Sequence, residues 1–201
     1  MKILNDTALS RRVFLVLGAS SLIACPAFAI TNDEATRLVN AIVGEINKVI
    51  ASGKSEGAMF RNFEKIFGKY ADVPTIARSA LGPTARSTSA ADLAAFTKSY
   101  QGYIARKYGK RFREFVGGVI TVKKTVNRGK YFEVVSNVRL RRSSPFDISF
   151  RVSDRSGKDL FFDIIIEGIS LLSSERVEIG ALLDRRGGSV ARLTQDLKSL
   201  G

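Results

Sequence analysis

The chain has 201 residues, a formal net charge of +13, no histidine, no tryptophan and a single cysteine, Cys25. Without histidine, neither a Ser-His-Asp nor a Cys-His nucleophilic site can be assembled, and the usual histidine and cysteine zinc sets are missing. No Gly-x-Gly-x-x-Gly or Walker-type loop occurs; glycine pairs such as Gly117-Gly118 and Gly187-Gly188 fall at the ends of elements.

The N-terminus carries an export signature. Ser10-Arg11-Arg12-Val13-Phe14-Leu15 matches the core of a twin-arginine signal, although Arg-Arg pairs also occur in ordinary Sec signals. The apolar run from Val13 to Ala24 is too short to span a bilayer core of ~30 Å. Ala27-Phe28-Ala29 offers a small-x-small cleavage site, so residues 1–29 are expected to be a signal peptide and the mature domain to start at Ile30. Leu22-Ile23-Ala24-Cys25 also resembles a lipobox, and the alternative is a lipoprotein anchored through Cys25. Cleavage after Ala29 leaves no cysteine, so no disulfide supports the domain in an oxidising compartment.

Residues 30–201 suit one domain with a substantial core. Thr31-Asn32-Asp33-Glu34 has capping-box spacing, and apolar residues from Leu38 to Ile50 succeed one another at helical intervals up to Ser52-Gly53. A second helix carries Phe60, Phe63, Ile66 and Phe67. Asp72-Val73-Pro74 opens a short third helix that closes at Leu81-Gly82-Pro83. A fourth, from about Ser89 to Phe115, places Leu93, Phe96, Tyr100, Tyr103, Ile104, Tyr108, Phe112 and Phe115 along one side, with Gly102 and Gly109 as candidate bends.

The period then changes from helical to alternating. Ile120, Val122 and Val126 alternate before the turn Asn127-Arg128-Gly129; Phe132, Val134, Val138 and Leu140 lie on a second strand. Phe146, Ile148, Phe150 and Val152 form a third strand, and Phe162, Ile164 and Ile166 a fourth. Hairpin-length connections predict an antiparallel, mainly four-stranded sheet with one apolar face. Two helices, about Ser173 to Arg185 and Ser189 to Leu200, complete an α+β layout with helices over that face. Asp163 and Glu167 share a face of the fourth strand in this reading, roughly 13 Å apart at ~3.3 Å per residue. Glycosidase-type pairs need about 5 to 9.5 Å, so the two are expected to be outer-face structural anchors for neighbouring arginines. No catalytic residue and no metal site is predicted.

The ordered set of motifs resembles the MlaC-type periplasmic phospholipid-binding family, also called the toluene-tolerance family. Ala80-Leu81-Gly82 is similar to the family's "LG" after the short helix, and Phe96, Tyr100 and Tyr108 fall where its long helix carries spaced aromatics. Asp163 through Ser170, including Glu167 and Gly168, matches its "D-x-x-x-E-G-V-S" stretch, with Arg176 six residues later. The chain departs from the pattern with Phe161 or Phe162 where a tryptophan often precedes the aspartate, and with Thr84-Ala85-Arg86 after "LG".

The resemblance implies a cone-shaped curved roll similar to nuclear transport factors. It implies a periplasmic carrier of glycerophospholipids that uses no cofactor and maintains outer-membrane lipid asymmetry. The partners implied are phospholipid, an inner-membrane ABC transporter complex with a substrate-binding ring, and an outer-membrane lipoprotein-porin complex. Acyl chains would lie in a deep apolar pocket between sheet and helices, while the head group would stay near solvent. One wall would be Phe132, Val134, Val138, Leu140, Ile148, Phe150, Val152, Phe162, Ile164 and Ile166. The other would be Ile42, Ile46, Phe63, Phe67, Phe96, Tyr100, Tyr103 and Ile104. Periodicity alone favours plain packing of these residues into an ordinary core; only the resemblance implies a pocket. A different lipid such as a hopanoid, a non-transporting interaction protein, and a hydrolase or isomerase on the same scaffold are the competing readings.

Removing residues 1–29 takes away three cations and one anion and leaves +11. Lys107, Lys110, Arg111 and Arg113 cluster on the long helix, Lys123, Lys124, Arg128 and Lys130 around the first hairpin, and Arg139, Arg141 and Arg142 near the second strand. Such a field suits anionic lipid surfaces or acidic partners. No nucleic-acid motif accompanies it, and nucleic acid is not an expected partner.

Overall fold

A computed structural model describes residues 30–109, 116–141 and 143–201. The export signal, Phe112, Phe115, Lys110, Arg111, Arg113 and Arg142 lie outside the described residues. Helix α1 (Asn32–Ala51) begins with the capping box expected from the sequence: Glu34 N–H donates to Thr31 Oγ1, and Thr31 N–H to Glu34 Oε2 at 2.8 Å. Its buried face is Ala35, Val39, Ile42, Val43, Ile46 and Ile50, a helical stripe. Helices α2 (Glu56–Tyr70) and α3 (Val73–Leu81) come next, α3 capped by Asp72, which accepts from Thr75 N–H at 3.1 Å. A 3₁₀ turn (Gly82–Arg86) leads to α4 (Ala90–Gly109). At Gly109 an added Cβ would stand 2.7 Å from the Phe60 ring, so this glycine permits close approach of α4 to α2.

Strands β1 (Val119–Asn127), β2 (Phe132–Arg139), β3 (Phe146–Ser153), β4 (Leu160–Ile166) and β5 (Ile169–Ser170) form one antiparallel meander in chain order. Helices α5 (Leu171–Asp184) and α6 (Val190–Asp196) close the chain. The fold is thus α+β, with α1, α2 and α4 packed with the sheet's apolar face around a single core. The margin of β4 beyond the short β5 is partly sealed: Ala71 pairs with Phe161, and Asp72 N–H donates to the Phe161 carbonyl at 2.8 Å.

Four sequence expectations need correction. First, Asp163 to Leu171 is no continuous strand. Glu167 and Gly168 are a two-residue hairpin loop at φ 47° and 83°, and a fifth short strand returns so that Ile165 faces Ser170. Both positive φ values are what the tightest hairpin turns require. Glu167 is therefore an exposed turn residue, not an outer-face anchor. Second, a bulge between the Arg151 and Val152 pairings shifts the phase of β4 at Phe162. Phe161 takes the inner position, its ring 5.8 Å from Phe150, while Phe162 lies edge-on to Tyr131 at 5.6 Å. Third, a bulge at Lys123 turns Thr125 inward in place of Val126, and Thr125 Oγ1 lies 2.6 Å from Thr36 Oγ1 on α1. Fourth, Leu140 lies beyond the end of β2.

Asp163 knots the C-terminal half together. It is 4% exposed. Its carboxylate accepts from Arg151 Nη1 at 3.2 Å, Ser170 Oγ at 2.8 Å and Leu172 N–H at 3.0 Å. It thereby joins β3, the β4–β5 hairpin and the first turn of α5. Arg176, the last residue of the same motif, lies elsewhere: it packs over Gly82, where an added Cβ would stand 3.3 Å from its Nε.

Replacing Asp163 with alanine should cost about 3 kcal/mol, because it strands Arg151 and a helix N–H at once. For a domain of this size that lowers the melting temperature by roughly 6–12 °C; a loss under about 1 kcal/mol would refute the joint. Glu167→Asn should instead stabilise the fold by about 0.5 kcal/mol, since asparagine tolerates positive φ and Asn-Gly suits the turn. Chemical denaturation of the two variants reads both effects.

Candidate functional site: an apolar cavity with a polar wall

The inner face of β3 and β4 does not close completely onto the helices. A cavity of about 220 Å³ remains between the sheet and α1, α2 and α4, with the start of α5 along one side. Protein interiors hold few voids larger than a water molecule, and one water needs roughly 10–15 Å³. The space is an order of magnitude beyond a packing defect.

The lining comes from every layer. Helices supply Ile42, Ile46, Phe63, Ile66, Phe67, Ile76, Tyr100, Ile104, Ala105, Tyr108 and Gly109; the sheet supplies Ile120, Ile148, Phe150, Phe161, Phe162, Asp163, Ile164 and Ile166; and α5 supplies Leu171, Leu172 and Glu175. Opposed pairs set the floor: Ile148 faces Ile166 and Phe150 faces Ile164 across β3 and β4. Phe67 and Phe161 rings, 6.1 Å apart, join α2 to this floor.

Of the pocket residues expected from sequence, Ile42, Ile46, Phe63, Phe67, Tyr100, Ile104, Ile148, Phe150, Phe162, Ile164 and Ile166 border the cavity. Phe96, Tyr103, Phe132, Val134, Val138 and Val152 are buried but do not border it, and Leu140 is half-buried outside it. The reason is layering: α1 packs directly on β1 and β2, so the inner row of β2 is filled by helix, and the space opens mainly toward β3 and β4, with Ile120 its contribution from β1. Ile66, Ile76, Phe161, Leu171, Leu172 and Glu175 line the cavity without having been expected there from the sequence. Ile66 had a signal in its helical spacing. Glu175 had another: it stands on the stripe Leu172, Glu175, Ile179, Leu183, where an apolar residue is expected.

Glu175 anchors a polar cluster between α4 and α5. It is 2% exposed. Its Oε1 accepts from Lys107 Nζ at 2.6 Å and from the Tyr108 hydroxyl, while Oε2 has no partner among the described residues. Lys107 also bonds Glu178, which accepts from Tyr103 Oη at 2.6 Å. Burial opposes the charge on Glu178, but the bonds from Lys107 and Tyr103 outweigh it and hold the carboxyl below its usual range. Burial, reinforced by the Glu175 carboxylate, pushes the Tyr100 phenol well above its usual range, so it stays a hydrogen-bond donor. That hydroxyl too is buried without a partner among the described residues.

The basic clusters are partly spent on internal pairs. Lys107 serves the two glutamates, Arg128 bonds Glu133 at 2.9 Å, and Arg151 bonds Asp163. Lys123, Lys124, Lys130, Arg139 and Arg141 lie around β1 and β2, all five exposed. Among the described residues no group of three acidic, cysteine or histidine side chains could hold a metal, and no helix is long and apolar enough to cross a membrane.

A solved structure from Ralstonia solanacearum, a phospholipid-binding protein in complex with a phospholipid, shares the fold with a TM-score of 0.69. The match covers 82% of this chain and 95% of that one at 18% identity. No curated protein matches the chain. The model of the MlaC protein family matches residues 37–199, nearly the whole span from the first helix to the last. The chain belongs to the MlaC family.

Proposed function

We propose that this protein is an exported carrier that holds the acyl chains of a glycerophospholipid in the cavity and shuttles the lipid between outer-membrane and inner-membrane complexes, maintaining outer-membrane lipid asymmetry. The observation that carries the reading is the cavity itself, walled by hydrocarbon from the sheet and helices alike. A lipid tail in water gains ~0.8 kcal/mol for each CH₂ it buries, so a wall of this kind supplies both affinity and tolerance of chain type. Membership of the MlaC family and the phospholipid bound by the Ralstonia solanacearum protein support the same reading. The exposed cations of β1 and β2 suit approach to anionic membrane surfaces or acidic partner proteins. An inner-membrane ABC transporter with a substrate-binding ring and an outer-membrane lipoprotein-porin complex are the partners the family membership suggests. The chemistry is binding without catalysis.

The N-terminal signature supports export, with the mature domain starting at Ile30 in the periplasm. The backbone nitrogen of Ile30 donates to Asp154 Oδ2 at 3.0 Å, beside Asp159 and Glu34. Cleavage after Ala29 would turn that nitrogen into an ammonium facing Asp154, a pairing that supports this start site. N-terminal sequencing of the exported protein should begin at Ile30; a chain beginning at a diacylated Cys25 would establish a membrane-anchored lipoprotein instead.

Organic-solvent extraction of the purified protein should release phospholipid that mass spectrometry identifies, and the protein should transfer lipid between vesicles. Ile148→Glu should abolish both, since it places a carboxylate on the cavity floor. Ile148→Phe, which fills space with hydrocarbon, should cut lipid occupancy severalfold while leaving the lipid-free fold at least as stable. Reproducible absence of lipid together with no vesicle transfer by the native protein would refute the reading.

A further inference from the structure

The two ends of the cavity differ. Its floor runs along β3 and β4 from the Ile148–Ile166 pair, past Phe150–Ile164, to the Val152–Phe161 pair. From Ile148 to Val152 that is roughly 13 Å at ~3.3 Å per residue. Val152 is wholly buried and does not border the space, so the floor of the cavity stops at Phe161. At the opposite end Ile166, Leu171 and Leu172 are half-buried, which puts solvent nearest there.

Phe161 closes the inner end because of the bulge in β4. Regular alternation would point Phe162 inward; the extra residue turns Phe161 inward instead. Bulges beside binding sites re-aim single side chains in this way. The backbone of Phe161 is held from both sides. It pairs with Val152 on β3 and with Ala71 on the other flank, and its carbonyl accepts from Asp72 N–H at 2.8 Å. The ring is held too, edge-on to Phe150 at 5.8 Å and tilted against Phe67 at 6.1 Å. It is 4% exposed and borders the cavity. A ring fixed at its base and at two faces is a rigid wall, and it stands across the direction in which a tail would extend.

We propose that Phe161, backed by Phe67 and Phe150, is the end stop of the cavity and sets the longest acyl chain that the protein carries. This rests on the carrier reading above and narrows it to lipids whose tails fit between the half-buried end and the ring. Hydrocarbon walls accept saturated and unsaturated tails alike; a fixed end discriminates by length alone. The limit is sharp for a physical reason. A tail that leaves a membrane for the cavity exchanges one hydrocarbon setting for another, so methylenes that fit neither favour nor oppose capture. Each methylene that does not fit is pushed back toward water, which lowers capture about fourfold.

The test uses delipidated, processed protein and vesicles that contain an equimolar series of phosphatidylethanolamines, alike in head group, with acyl chains that lengthen in single-carbon steps. Captured lipid is counted by mass spectrometry. Capture by the native protein should be level across the shorter members and then fall about fourfold for each further methylene. Removing the ring in Phe161→Ala frees space worth about four methylenes, so the break should move to chains about two carbons longer on each of two tails. Phe161→Trp should move the break to shorter chains. Val138→Ala opens a void in the core at a residue that is buried without bordering the cavity, and it should leave the break where it is. Capture by the native protein that is independent of length would overturn the end stop while leaving the carrier intact. So would a break unmoved by both Phe161 variants, or one moved equally by Val138→Ala. Failure of the native protein to capture any member would overturn the carrier reading as well. Should Phe161→Ala not fold, Phe161→Leu reads the same shift in smaller measure and decides the matter.

Discussion

The geometry of the cavity depends on a carboxylate that is not free to move. Asp163 reaches across from β4 to Arg151 on β3, to the Ser170 hydroxyl at the end of the β4–β5 hairpin, and to the backbone N–H of Leu172 at the head of α5. Three elements are thereby fixed at one point, and the residues next to that point, Ile164, Leu171 and Leu172, line the cavity. A hollow core loses dispersion contacts that a filled one would have. It survives where its rim is held by directional bonds, and these bonds are buried and attached to a helix N-terminus whose free N–H groups favour a negative partner.

The same local design sets the wall at its other end. The two-residue loop at Glu167-Gly168 leaves no slack between β4 and β5, and α5 begins immediately after Ser170. Leu171, Leu172 and Glu175 are consequently carried into place by the hairpin. Aromatic packing continues the rim: Arg151 stands 5.4 Å over the Tyr131 ring, and Tyr131 meets Phe162 edge-on. The hydrocarbon floor and the polar flank are two sides of one constraint, because the strand that presents Ile164 and Ile166 to the cavity is the strand that Asp163 ties to its arginine.

Much of this is legible in residue patterns. Capping at Thr31 and Asp72, the helical stripe of α1 and the alternation of β3 each express a single local rule, and the structure obeys them. The features that escape the pattern are exceptions to a period. Extra residues at Lys123 and Phe162 reverse the facing of their neighbours, so Thr125 and Phe161 occupy inner positions that simple alternation gives to Val126 and Phe162. Glu167 passes for a strand residue because a two-residue turn hides easily inside an apolar run. The cavity is not legible at all from periodicity: Val134 and Val138 alternate as well as Ile148 and Phe150, and only the placement of α1 over β1 and β2 decides which pair is covered by helix and which is left facing empty space.

The bulge at Lys123 also guards the sheet. β1 is the free margin of the meander, since β2 occupies only one of its sides. An uninterrupted free margin invites a second chain to add a strand. Here its hydrogen-bonding row is broken at midpoint, the Asn47 amide on α1 already bonds the Ile120 N–H and C=O, and the exposed charges of Lys123 and Lys124 flank the break. Part of the excess positive charge therefore protects solubility, keeping a sheet with an open side from extending into a neighbour.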